Sequence, residues 1–502
     1  MESKVSRRLT QATAPEVCQF IYQPRLDRDF APGFRYLTDI NAAHLLMLHG
    51  TGLVPSDVAA TLARALLRVD EEGPGAVRLD PQREDAYFNY EARLMEVAGA
   101  DAGGRLHVAR SRNDILATLD RLRARDAVLA LLAVLAETRE AVLHKADTHA
   151  DAVMPGYTHL QAAQPITYGY YLAGVAQALG RDMGRLLRAL DTLDACPLGA
   201  GALAGTAFPI DRSATARWLG FSGFAPNALD AVASRDFAWE IQSAITMATV
   251  TWGRVAQDLY VWATPEFGLI DFPDSVAGTS SIMPQKKNPV VLEYLKGKGG
   301  TMIGLLTATL GALKGSHFTH SGDGNRETMR GFWEAIEESQ RCASLLRLVL
   351  DNAEPQRAAM LARARRDFSS ATDLADMLVR DAAMSFREAH HVVGAVVREA
   401  LDRHLPACEI DSAMVNRAAL QVTGRALQVE AETVARCLDP VQGVAARLAA
   451  GGPAPVLVRE QVAAQLGEVA RDREAMATVG GRVAAARAGL QQALEALAAA
   501  PA

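Results

Sequence analysis

The sequence lacks any cysteine framework. Cys18, Cys196, Cys342, Cys408 and Cys437 lie far apart, form no CxxC pair and are odd in number, which points to reduced thiols rather than a disulfide scaffold. No uninterrupted apolar run reaches bilayer length, and the opening stretch MESKVSRRLTQATAPEVCQF has basic residues but no apolar core of a signal peptide. The expectation is a soluble, cytoplasmic protein with no membrane partner. Positive charge is not in excess either: the formal charge of −6 argues against nucleic-acid binding, yet leaves room for small anionic substrates, which meet only local cations. Metal-ligand spacing is also missing. His44 and His49, like His144 and His149, are five apart on expected helices and so face different ways, and His390 and His391 are adjacent. KGKGG lacks the spacing of a phosphate-binding loop. No metal and no cofactor are expected.

What is present is helix. At 502 residues the chain exceeds one compact core, so two or three domains are expected. Neither glycine nor proline occurs from Arg105 to Met154, and ILATLDRLRARDAVLALLAVLAETREAVLHKADTHAD reads as one long amphipathic helix. Further helical stretches fall at about 166–195, 235–263, 290–313 and 326–352. Several, such as EIQSAITMATVTWGRVAQDLYVW, are apolar on more than one face and must be covered by other helices, including those of other subunits. The predicted class is mainly all-α: an N-terminal helical domain over 1–106, a central five-helix bundle over 107–364 and a small helical domain over 365–502.

The unusual residues sit between the helices. HVARSRND (107–114) immediately precedes the first long helix, where backbone N–H groups and Arg112 can converge on an anion, although Ser-Arg-Asn-Asp also fits a plain helix cap. MPGYTHLQAAQP (154–165) joins the first two long helices and places His159 between two helix ends. GTSSIMPQKKNP (278–289) precedes the fourth and sets adjacent cations and an asparagine behind paired serines, an order that no linker requires. Three polar loops at bundle ends suggest one composite site.

These segments resemble a known family. GTSSIMPQKKNP is similar to the signature loop of the fumarase/aspartase superfamily, and HVARSRND, MPGYTHLQAAQP and PLGAGALAGTAFPIDR (197–212) are similar to its argininosuccinate lyase branch. The likeness continues through SRDFAWE and SSATDLADMLVR to GGPAP, and so covers nearly the whole chain. It implies a homotetramer with a twenty-helix core, active sites shared between three subunits, and cofactor-free elimination of fumarate from an N-substituted aspartate. On this resemblance Ser281 is the general base, while Lys287 and Asn288 hold the carboxylate that becomes dianionic. His159 and Glu293 form a supporting charge pair near the leaving nitrogen, with the identity of the proton donor left open. Ser111, Arg112, Asn113, Thr158, Ser280 and Met283 complete the expected substrate contacts.

The sequence departs from the branch where the amine part of the substrate would be read. In HSGDGNRETMRGFW (320–333), Ser321 stands in place of a tyrosine and Arg326 in place of a glutamine, and Arg330 lies beside a lost lysine position. Asn41 replaces a serine, and Ile115 a glutamine. Arginines repel a guanidinium but pair bidentately with carboxylates. Arg326 and Arg330 are therefore expected to bind substrate, which favours an aminopolycarboxylate such as ethylenediamine-N,N′-disuccinate. The alternatives are an argininosuccinate lyase of arginine biosynthesis and a non-catalytic structural homologue.

Overall fold

The computed structural model describes residue 8 and residues 11–500; residues 1–7, 9 and 10 of the amino-terminal stretch, and 501 and 502, lie outside the described residues. The chain opens with α1 (Gln23–Gly50), α2 (Ser56–Glu72) and α3 (Ala86–Ala98), whose apolar faces close a first core around Phe34, Leu37, Leu62, Tyr87 and Tyr90. Then come the five long bundle helices: α4 (Arg112–Thr148), α5 (Tyr168–Leu193), α6 (Asp236–Trp262), α7 (Val290–Leu313) and α8 (Gly322–Asn352). Their boundaries fall close to the periodicity of the sequence, and the fold is mainly α, as that periodicity predicts.

α4 runs its full length without interruption because nothing in it breaks the backbone ladder, and Ser111 and Asp114 close a reciprocal capping box at its start. Close packing of α5 against α4 depends on two of its glycines. A Cβ at Gly169 would lie 2.3 Å from the Ala146 carbonyl oxygen, and one at Gly180 would meet the Arg139 guanidinium at 2.4 Å. The second core, around Leu132, Leu172, Ile245, Trp252 and Phe332, fills the space between the five helices.

A third core, around Leu378, Val392, Val396 and Met414, is built by α9 (Ala371–Asp381), α10 (Phe386–Asp402) and α11 (Ser412–Thr423). The final helix α12 (Pro455–Ala499) takes no part in this core, and its Val462 and Val469 join the second. Fully buried Arg139 holds it to the bundle through Asp472 at 3.3 Å and a shorter bond to Glu468, and further along Leu490 and Leu494 enter the first core. All five cysteines are unpaired. Among the described residues no helix is long and apolar enough to cross a membrane.

Helix direction assigns each loop to one end of the bundle. α4 and α6 run one way along it, and α5 and α7 run back. Arg121 donates to the Thr192 carbonyl at 2.6 Å and Arg235 meets Asp120 at 3.3 Å, which puts the starts of α4 and α6 at one end with the close of α5. At the other end Lys145 donates to the carbonyls of Leu350 and Asp351 at 3.1 and 2.9 Å, and Ile270 pairs with Pro355 in a short antiparallel ladder. With 37 residues in α4, the two ends are on the order of 50 Å apart.

Candidate active site

One group of predicted residues gathers at the end where α7 begins. The segment from Gly278 to Asn288 leaves and rejoins the body at a single point, because Gly278 N–H donates to the Asn288 carbonyl at 2.7 Å and Asn288 N–H to the Gly278 carbonyl at 2.8 Å. Gly278 is required at this pinch: a Cβ there would lie 2.5 Å from Val290 Cγ1. Asn288 adds a side-chain bond to the Thr279 carbonyl at 3.0 Å, and Ser280 Oγ accepts from the Met283 amide at 3.1 Å. Within this closed loop Ser281 is exposed, next to Ile282 at 82% exposure, and neither is engaged by the body of the chain. Lys287 is held at the neck by Asp271 at 3.3 Å, Asp274 at 3.4 Å and the Phe272 carbonyl. Glu293, in the first turn of α7, accepts from Tyr260 Oη at 3.4 Å. Lys287, Asn288 and Glu293 line one cleft above Tyr260, Phe272 and Val276.

His159 belongs to a hairpin in a segment whose sequence suggests only a connecting loop. β1 (Val153–Thr158) and β2 (Gln161–Thr167) pair antiparallel, and His159 and Leu160 form the two-residue turn with φ of +54° and +55°. That is the turn geometry which usually selects Asn-Gly, so two side-chain-bearing residues here carry backbone strain. Thr158, His159 and Leu160 are exposed at the tip, and Glu293 is not a partner of His159 within the chain.

The remaining group lies at the opposite end. Ser111 caps α4, and Asn113 donates to the Ala202 carbonyl at 3.1 Å. Asp114 is buried and accepts from the amides of Ser111, Gly199 and Gly201, each at 2.9 Å; burial raises its carboxyl to about 6, and those three amides restrain the rise. It thus ties the family-like Gly-Ala-Gly segment to the helix start. Arg112 directs Nη1 to Glu84 at 2.6 Å and Asp85 at 3.0 Å and covers the Phe88 ring. Beside it a cleft opens between α1, α4 and α8, lined by Arg25, Arg112, Arg235, His320, Asn325 and Arg326 among others. Arg330 is on the same helix but outside this lining, with Glu327 as its partner at 3.0 Å. Arg25 lies in no stretch that the sequence singles out, whereas Arg235 falls within SRDFAWE and Asn325 within 320–333, although neither is assigned a role there.

Comparison with known proteins identifies the family of the chain. A model of the lyase family matches residues 41–304, and a model of the argininosuccinate lyase C-terminal region matches residues 368–445. The chain is 39% identical over 455 residues to argininosuccinate lyase 1 of Shouchella clausii, covering 91% of each chain. Two solved structures of EDDS lyase, one with formate and one of a variant with bound fumarate, superpose with a TM-score of 0.86 at 32% identity, covering 97% of both chains. The chain belongs to the argininosuccinate lyase branch of the fumarase/aspartase superfamily. Within that class it is a fumarate-releasing carbon–nitrogen lyase.

Proposed function

We propose that the chain eliminates fumarate from an N-substituted aspartate that carries further carboxylates, an aminopolycarboxylate such as ethylenediamine-N,N′-disuccinate. The observation that supports the chemistry best is the closed 278–288 loop, which carries an unengaged Ser281 above a neck lysine and asparagine. Ser281 takes a proton from the carbon next to the carboxylate. The electron pair released becomes the new C=C bond, the C–N electrons leave with nitrogen, and the nitrogen takes up a proton. The carboxylate is dianionic at the transition state, and Lys287 and Asn288 are suited to stabilise that added charge. A serine hydroxyl needs help to act as a base, and the neighbouring cation of a loop able to close supplies it.

His159 and Glu293 serve the leaving nitrogen, and Ser111, Arg112, Asn113, Thr158, Ser280 and Met283 hold the succinyl part. These groups lie at two ends of one chain, so the reading requires sites that draw on more than one chain, and the family resemblance implies a homotetramer with each site shared between three subunits. The test is a panel of N-substituted aspartates followed by fumarate absorbance. Turnover should be clear with the aminopolycarboxylate and weak with argininosuccinate, and Ser281→Ala should lose about 10²–10⁴ of it. Preferred turnover of argininosuccinate would reverse the substrate assignment. Retained turnover in Ser281→Ala would remove Ser281 as the base.

A further inference from the structure

The cleft at the Ser111 end holds more positive charge than its own acids answer. Six arginines line it against three aspartates. Arg28 pairs with Asp29 at 2.8 Å, Arg112 with Asp85 at 3.0 Å and Arg235 with Asp120 at 3.3 Å. Arg123 lays its guanidinium over the Trp333 ring at 4.0 Å. Arg25 and Arg326 remain, and among the described residues neither has a carboxylate within ion-pair distance. Arg25 is also substantially buried, and its Nε is enclosed with no hydrogen-bond acceptor. A buried guanidinium left in this state is unfavourable unless an anion completes it.

Independent features of the cleft point the same way. Asn325 is 5% exposed, lines the cleft and has an enclosed Oδ1 without a partner, while its Nδ2 lies 3.1 Å from His320 Nδ1. Ser321, whose Oγ is enclosed, also lines the cleft. Arg326 is folded back over its own helix start, where a Cβ at Gly322 would come 3.4 Å from its Cζ. Glycine at 322 therefore leaves the guanidinium room to lie there. Burial and then Arg326 are the main influences that lower the pKa of Arg25, which stays charged, as expected of two like charges facing one space.

We propose that Arg25 and Arg326 form a two-sided clamp for a carboxylate of the substrate's amine portion, with Asn325 and Ser321 as neutral hydrogen-bonding partners. This rests on the aminopolycarboxylate reading and replaces Arg330 with Arg25 as the second cation. The clamp pairs with the carboxylate through charge-assisted bonds in a partly desolvated cleft, and it excludes a substrate that ends in a guanidinium.

Binding can be measured apart from turnover by calorimetry on full-length Ser281→Ala protein. The two probes are ethylenediamine-N,N′-disuccinate, which has distal carboxylates, and N-(2-aminoethyl)aspartate, which has none. Adding Arg25→Met or Arg326→Met should weaken the first by roughly ten- to a hundredfold and leave the second within about twofold. Arg25→Lys should recover part of the loss, which a merely misfolded Arg25→Met protein could not explain, and circular dichroism checks the fold. Equal weakening of both probes, no weakening of either, or no binding of the disuccinate overturns the clamp. If wild-type protein releases no fumarate from either probe while the binding difference persists, the proposed reaction fails and the clamp stands. If turnover is present and the binding difference absent, the reverse holds.

Discussion

At the scale of the residue, the cleft at the Ser111 end is defined by what its charges do to one another. His320 sits among Arg235, Arg112, Arg326 and Arg25, and burial first, then these cations, lower its imidazole from 6.5 to about 4. It is therefore neutral in the folded protein at physiological pH, and with Nδ1 facing the Asn325 amide it accepts there and keeps Nε2–H as a donor. That neutrality sets the sign of its effect on stability. Between about pH 6.5 and 4 the unfolded chain binds a proton at this histidine and the folded chain does not, so stability from this group is present above the window and lost as pH falls through it. Wild type should accordingly lose more thermal stability between pH 7 and 4.5 than His320→Gln does. Equal losses in a paired melting experiment would mean that His320 takes up its proton as readily in the folded as in the unfolded chain and that neither burial nor the surrounding arginines act on it.

At the scale of the element, the hairpin over 153–167 is the clearest addition to what the sequence tells. Its strands contain Pro155, Gly156 and Pro165, residues that read as loop, and its turn is His-Leu rather than Asn-Gly. Only tertiary packing, in which Tyr157 meets Phe267 edge-on at 5.6 Å, makes strands of them. The long helices were legible because uninterrupted apolar periodicity over 37 residues leaves few alternatives, and the capping box announces the start of α4. The loop at 278–288 was legible as a motif. Its closure was not, since that depends on a backbone pair between residues ten apart. Arg330 shows the limit of spacing arguments: four residues from Arg326 on a helix, it nonetheless bonds to Glu327 because its side chain diverges from the cleft. The strained turn gives an element-level prediction. Leu160, 65% exposed at φ +55°, should be replaceable by glycine with a gain in stability of about 1 kcal/mol, read as a raised melting temperature. A clear fall instead would show that the Leu160 side chain is covered in the assembled protein and contributes more there than the turn costs.

At the scale of the whole molecule, the proposed reaction makes one chain an incomplete enzyme. Ser281 and Lys287 are at the α7 start, Arg112 and Asn113 at the far end of a bundle on the order of 50 Å long, and no folding of a single chain brings them to one substrate. The bundle also leaves apolar side chains half uncovered: Met247 is 45% exposed, Val250 42%, Ile303 51% and Leu310 45%, all on α6 and α7. Antiparallel packing of copies along these faces would bring the α7 end of one chain to the α4 start of another and cover the apolar surface in the same step. The arrangement has a direct consequence for mixed assemblies. Asn113→Leu and Ser281→Ala should each be inactive alone, because each spoils every site. When the two proteins are unfolded, mixed in equal amounts and refolded together, the segments of a given site come from different chains, so roughly a quarter of the sites contain neither lesion. Fumarate release should therefore return to about a quarter of the wild-type level. If mass spectrometry confirms mixed assemblies and activity stays at the level of the parents, the two segments serve the same chain's site, and the opposite-end geometry would have to be closed by a rearrangement of the bundle itself.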